Sequence, residues 1–251
     1  MSSHSDLATQ IVKFGAQTNG RDKLFRLLQY GSKLISWYLQ TDQGKLDFLE
    51  KLKKLETSMS MTRKLLRFGK SLDFILAALK TIHLSDPVLK LTITMSKLAQ
   101  SVFLIFDHII FAHNLGIIKA DKEKWSRYSS QCWLFSLILN LLRNSYDILS
   151  IISNEAKAQE NRQRRGQYVN GGIEHSVTSR KPMGRVQILK KCCYENQPVV
   201  LDFVKNMSDL VLPLNSLGKI KVSGGIQGSL GLLSSAIGIA TVWSPILKLV
   251  P

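Results

Sequence analysis

Between Lys221 and Lys248 the chain carries no charged side chain. As a helix rising 1.5 Å per residue, Val222 to Leu247 would extend about 39 Å, more than the roughly 30 Å hydrocarbon core of a bilayer. Its small residues are ordered: Gly224, Gly228, Gly231, Ser235 and Gly238 recur at steps of four and three. A helix there has one smooth face, with Ile226, Leu230, Leu233 and Ile237 opposite and toward lipid. In water each glycine would weaken the helix by up to about 1 kcal/mol relative to alanine. In lipid the same glycines allow helices to approach closely. The pattern predicts a transmembrane anchor over 222–247 whose small-residue face self-associates. The competing reading is a buried glycine-rich hairpin of a soluble domain.

The rest of the chain is basic. Over 251 residues the formal net charge is +16, with 34 Lys and Arg against 18 Asp and Glu. Half of that surplus lies in residues 1–100 and most of the remainder in 154–221. Such a surplus suits nucleic acid or an anionic membrane surface. Nucleic acid would require a groove-reading module or stacking aromatics among the cations, and the run Arg162, Arg164, Arg165 is short and isolated, so no nucleic-acid partner is expected. Cys132, Cys192 and Cys193 offer neither a CxxC motif nor metal spacing, which points to a reducing compartment without a disulfide framework.

Helical periodicity dominates, and the expected fold is all-α: an amphipathic helical bundle with a glycine-rich C-terminal transmembrane helix. Residues 20–39 place Leu24, Leu27, Leu28, Gly31, Leu34, Ile35 and Tyr38 on one face. A second pattern runs from Lys45 to about His83, with a break expected near Ser58 to Ser60. Within it, residues 57–83 set Leu65, Phe68, Leu72, Ile75, Leu76 and Leu79 at helical spacing, with Arg63, Lys64, Arg67 and Lys70 clustered in the first turns. An apolar stripe with a basic shoulder suits a membrane interface, although the same stripe could pack on neighbouring helices. The N-terminal unit is taken as 1–84.

Ser85-Asp86-Pro87 predicts a helix start, with proline just inside the first turn. Residues 85–153 then read as an apolar helical hairpin. A further span over 98–118 is conceivable on apolarity, but a central carboxylate, Asp107, costs roughly 2.5–3.5 kcal/mol on insertion scales. A buried or interface-seated helix is therefore preferred there. Asp121 reads as the cap of the next helix. Residues 154–184 are polar and glycine-containing and are taken as a linker. A helical segment follows over 185–221, with Pro198 opening a helix and Pro213 closing it.

No catalytic constellation emerges. The histidines make no HExxH pair, and no GxSxG elbow is present. Gly69-Lys70-Ser71 resembles the end of a P-loop, but Lys64 stands where the leading glycine belongs and the segment reads as helix. Neither enzyme activity, cofactor nor metal is expected.

Several stretches, in order, resemble the peroxin-11 family of the peroxisomal membrane: GRDKLFRLLQY, SMTRKLLRFGKSLD, HLSDPVLKL, EKWSRYSSQCWLFSLILNLLRNSYDIL, PVVLDFVKNMSDLVLPLNSLG and the glycine-rich tail. The likeness covers nearly the full length apart from the polar linker. It implies a peroxisomal membrane protein that elongates the membrane before fission. It also implies as partners a second copy of itself, anionic phospholipid, the dynamin-type fission machinery with its membrane adaptors, and the membrane-protein import receptor. The family's inserting amphipathic helix is best matched by 57–83. The resemblance thus tips that helix toward lipid, with Leu65, Phe68, Leu72, Ile75, Leu76 and Leu79 as the wedge and Arg63, Lys64, Arg67 and Lys70 on headgroups. Two rival expectations are a pore for small metabolites and a membrane-tethered adaptor that does not bend lipid.

Overall fold

The computed structural model describes residues 2–41, 46–169 and 185–250. Among them the regular elements are all helical: α1 (Ser2–Ala16), α2 (Thr18–Tyr38), α3 (Leu46–Leu66), α4 (Lys70–Thr81), α5 (Pro87–Asn114), α6 (Lys122–Val169), α7 (Arg185–Glu195), α8 (Gln197–Ser216) and α9 (Gly224–Trp243). Short 3-10 turns follow α2 and α9.

Local chemistry sets several of these boundaries. Asp86 caps α5 by accepting from the Val88 and Leu89 amides at 2.8 and 3.1 Å, with Pro87 in the first turn. The Tyr146 hydroxyl donates to the same carboxylate at 2.7 Å, which ties α6 to the start of α5. That bond, with the two amides, holds the Asp86 carboxyl below its ordinary pKa. Asp121 accepts from the Lys124 amide at 3.1 Å where α6 begins. Ser223 likewise accepts from the Ile226 amide at 3.3 Å to open α9.

Three boundaries differ from expectation. The break in the 45–83 pattern lies between α3 and α4, not near Ser58 to Ser60. Gly69 sits there at φ +81°, a left-handed conformation that glycine adopts without a Cβ penalty. The polar stretch expected as a linker from residue 154 continues α6 as helix to Val169, while 170–184 lie outside the described residues. Pro213 is inside α8 and does not close it. It forfeits only the bond to the carbonyl one turn before, and the Leu217 amide still bonds the Pro213 carbonyl at 2.9 Å.

Helix packing closes a ring. α5 packs on α6, α6 on α8, α8 on α9, α9 on α2, α2 on α3 and α3 on α5, with α4 against α5. Small polar side chains stitch the neighbours together. Ser96 on α5 bonds the Ser136 hydroxyl at 3.0 Å and donates to the Asn140 side-chain Oδ1 at 2.6 Å, both on α6. Ser130 meets Ser216 at 3.0 Å between α6 and α8, and Thr81 meets Thr94 at 2.9 Å between α4 and α5. Hydroxyl bonds of this kind hold helices together where burying more apolar surface would contribute little, as in lipid.

The distribution of polarity is inverted relative to a protein folded in water. Asp22, Arg26, Arg63, Asp107, Asn144, Asn206 and Asp209 are buried, and the described interior holds more polar than apolar side chains. Large apolar side chains face outward on every helix of the ring. A surface of that extent, far beyond isolated exposed leucines, marks contact with lipid or another apolar partner.

Candidate functional site

The outer face of the α3–α4 segment is apolar. Phe68 is 75% exposed and Leu72 64%, and Leu65, Leu76, Leu79 and, less fully, Ile75 share that exposure. The expected wedge residues thus form one outward surface, brought together by α4 and the end of α3. The Phe68 ring stands edge-on to His108 of α5, with centroids 5.1 Å apart, which anchors the start of the stripe.

The cations expected beside them do not share that face. Arg63 is buried, with Nε 3.2 Å from Asp22 Oδ1 and Nη1 donating to Gln29 Oε1 at 2.7 Å. Lys64 bonds Asp107, and Arg67 donates to the other Asp107 oxygen at 2.8 Å. Lys70 also lines the interior cavity. Three of the four expected headgroup ligands, Arg63, Lys64 and Arg67, are instead held by Asp22 and Asp107 on α2 and α5, so the end of α3 and the turn after it face their basic shoulder inward. The apolar stripe is left outermost.

α9 is long enough to cross a bilayer, at about 30 Å for its 20 residues. α5 also meets the length and apolarity required, and only 28% of its most apolar stretch and 33% of that of α9 are buried. Low burial separates these helices from the core helix of a water-soluble fold. Trp37 lies against the first turn of α9 and Trp243 ends it, so partly exposed tryptophans stand at both ends of this helix. Asp107 sits within α5 without contradiction, because Lys64 and Arg67 neutralise it inside the ring.

The small-residue face of α9 is occupied. Gly224 and Gly225 lie against the Trp37 ring, Gly228 against the Leu34 backbone, Gly231 under the Tyr30 ring and Gly238 beside the Lys23 stem, all on α2. Ser235 is fully buried and bonds the Gly231 carbonyl at 2.5 Å. The expectation that this face meets a second copy is corrected: α2 of the same chain fills it. Ile237, expected toward lipid, is buried as well, whereas Ile226 and Leu233 are exposed.

Inside the ring lies a cavity of about 710 Å³ that sequence reasoning missed. Arg26 of α2 forms a two-pronged ion pair with Asp209 of α8, one prong at 3.2 Å. Asn144 of α6 donates to Asp202 of α8 at 3.2 Å. Arg26 and Asp209 are 183 positions apart, so no local pattern couples them. No group of three or more His, Cys, Asp or Glu side chains converges into a metal site among the described residues.

An apolar outer surface around a polar ring, with two helices long enough to span, suits a membrane protein. Comparison with known proteins agrees. The family model described as Peroxisomal biogenesis factor 11 (PEX11) matches residues 8–243. Peroxisomal membrane protein 11B of Bos taurus is 35% identical, over 96% of this chain and 98% of that protein. Peroxisomal membrane protein 11A of Homo sapiens is 33% identical over 95% of this chain and 97% of its own length. The Peroxisomal membrane protein 11 homolog of Dictyostelium discoideum is 28% identical over 96% of both. No solved structure matches. With a family model spanning nearly the whole chain and relatives above 30% identity end to end, the chain belongs to the peroxisomal biogenesis factor 11 family and is a protein of the peroxisomal membrane.

Proposed function

We propose that this protein curves and elongates the peroxisomal membrane by seating the α3–α4 stripe in one leaflet, a step toward peroxisome fission and proliferation. The observation that carries this reading is the outward apolar surface of Leu65, Phe68, Leu72, Ile75, Leu76 and Leu79 beside a turn whose cations are bound inward. Each Leu or Phe removed from water contributes roughly 1.5–3 kcal/mol, enough in sum to hold the segment at the acyl boundary. Because Arg63 and Arg67 are paired to α2 and α5, the wedge is fixed to the ring and does not hang from a flexible tether. A rigid insertion expands the leaflet it enters and favours curvature. Self-association and recruitment of a dynamin-type fission machinery belong to the same proposal, through surfaces other than the covered glycine face.

The test uses the full chain reconstituted into liposomes containing anionic phospholipid. Leu72→Glu with Leu76→Glu is expected to reduce tubule formation at least tenfold. Both side chains point away from the ring, so thermal stability in neutral detergent should stay near that of the parent. Tubulation at the parent level by a stable, inserted double variant would refute the wedge. A second reading, passage of small solutes through the ring, is favoured by the polar cavity. Conductance of the reconstituted protein across a planar bilayer separates it from membrane bending.

A further inference from the structure

The interior cavity is not electrically balanced. Lys23, Arg26, Arg63, Lys64, Arg67 and Lys70 line it together with three buried carboxylates, Asp22, Asp107 and Asp209. Arg26 is matched by Asp209, Lys64 and Arg67 share Asp107, and Arg63 takes Asp22. Asp22 also lies within Coulombic range of Lys23 and Lys70, but neither lysine forms an ion pair among the described residues. Among these side chains six cations face three carboxylates; the lining also includes Lys122, Lys205, paired with Asp202, and Glu56, paired with Lys33, so the cations stay in excess. Arg26, itself only 6% exposed, also has a buried Nε–H with no acceptor. Burial, with Arg26 beside it, pushes the pKa of the Lys23 ammonium down to about 7, and an unpaired lysine and an orphaned guanidinium donor in a partly enclosed space are costly to maintain. An anion that enters the cavity relieves both costs.

We propose that the cavity is a binding site for a phosphate monoester, held by Lys23, Lys70 and the free Arg26 donor. A phosphomonoester carries about −1.5 to −2 charge near neutral pH and three acceptor oxygens, which fits this charge surplus better than a single carboxylate does. A volume of about 710 Å³ accommodates the ester and part of its organic group. The site stands apart from the outward stripe and does not depend on membrane bending. The ester can come from a soluble metabolite or from the headgroup of a monoester lipid entering between helices.

The experiment uses the full chain in nanodiscs. In phosphatidylcholine nanodiscs at 0.15 M chloride, inorganic phosphate is titrated by calorimetry. In a second arm, thermal stability is compared in discs containing phosphatidic acid and in discs containing phosphatidylglycerol, a diester. Saturable phosphate binding identifies a soluble ester as the source. Stabilisation by phosphatidic acid beyond phosphatidylglycerol identifies a lipid headgroup. In whichever arm responds, Lys23→Gln with Lys70→Gln should weaken binding at least tenfold, and Lys70→Gln alone about threefold or more. Lys51→Gln, an exposed lysine paired with Asp47 on the surface of α3, should leave it unchanged. Neither cavity lysine has an ion-pair partner to orphan, so the double variant should melt no lower than the parent without ligand. No saturable response in either arm, or parent-level affinity in the folded double variant, would overturn the site.

Discussion

Replacing Asp107 by alanine should destabilise the folded protein by about 3–5 kcal/mol, the usual consequence of removing one partner from a buried ion pair. Asp107 is buried on α5 and is shared by Lys64 at the end of α3 and Arg67 in the turn that follows. Its loss leaves two cations facing an interior that already has too few carboxylates. Unfolding of purified protein by increasing denaturant in neutral micelles measures the shift directly. A companion variant decides the cause. Asp107→Leu combined with Lys64→Met and Arg67→Met removes all three charges while keeping volume, and buried ion clusters replaced in this way are often neutral or stabilising. Recovery of most of the lost stability by the triple variant is the expected outcome. If Lys64 and Arg67 instead faced headgroups, Asp107→Ala would change stability by less than about 1 kcal/mol, as exposed pairs do.

The same residues show what the sequence could and could not reveal. Asp86-Pro87 announces the start of α5, because a cap and a proline act within one turn of each other. The length of α9 follows from an uninterrupted run without charge, and the α4 stripe from spacing on a single helix. Those features are local. Periodicity identifies an apolar face but not what covers it, and Arg63, Lys64 and Arg67 read as an outward basic shoulder for headgroups because charges on an amphipathic helix normally point out. Here the outer face of the ring is apolar and the charges turn inward toward Asp22 and Asp107, 40 to 43 residues away in sequence. The Arg26–Asp209 pair and the cavity exist only once α2 and α8 have been brought into the same ring. The small-residue face of α9 was legible as a close-packing face; its occupant was not, since α2 carries no matching glycine run.

That occupant makes the second large prediction. A Cβ at Gly228 would stand 2.8 Å from the Leu34 Cβ and 2.9 Å from its Cα and amide nitrogen. Backbone atoms cannot swing aside as a flexible side chain can, so α2 and α9 must separate. At Gly231 the added atom would stand 2.2 Å from Cγ and Cδ1 of the Tyr30 ring. Overpacking of this kind typically costs 1–3 kcal/mol at one site, so Gly228→Leu with Gly231→Leu should lose about 3 kcal/mol or more. Gly15, near the end of α1, has open space around its would-be Cβ, and Gly15→Ala should be neutral or stabilising by up to about 1 kcal/mol. Concentration dependence identifies which interface the glycines serve. A face that packs within one chain gives the same loss at every protein-to-detergent ratio, whereas a self-association face gives a loss that fades on dilution, because subunit linkage stabilises by mass action. A dilution-independent loss in the double variant is the result expected from α2 lying along α9. A loss confined to concentrated samples would return the glycines to contact between copies.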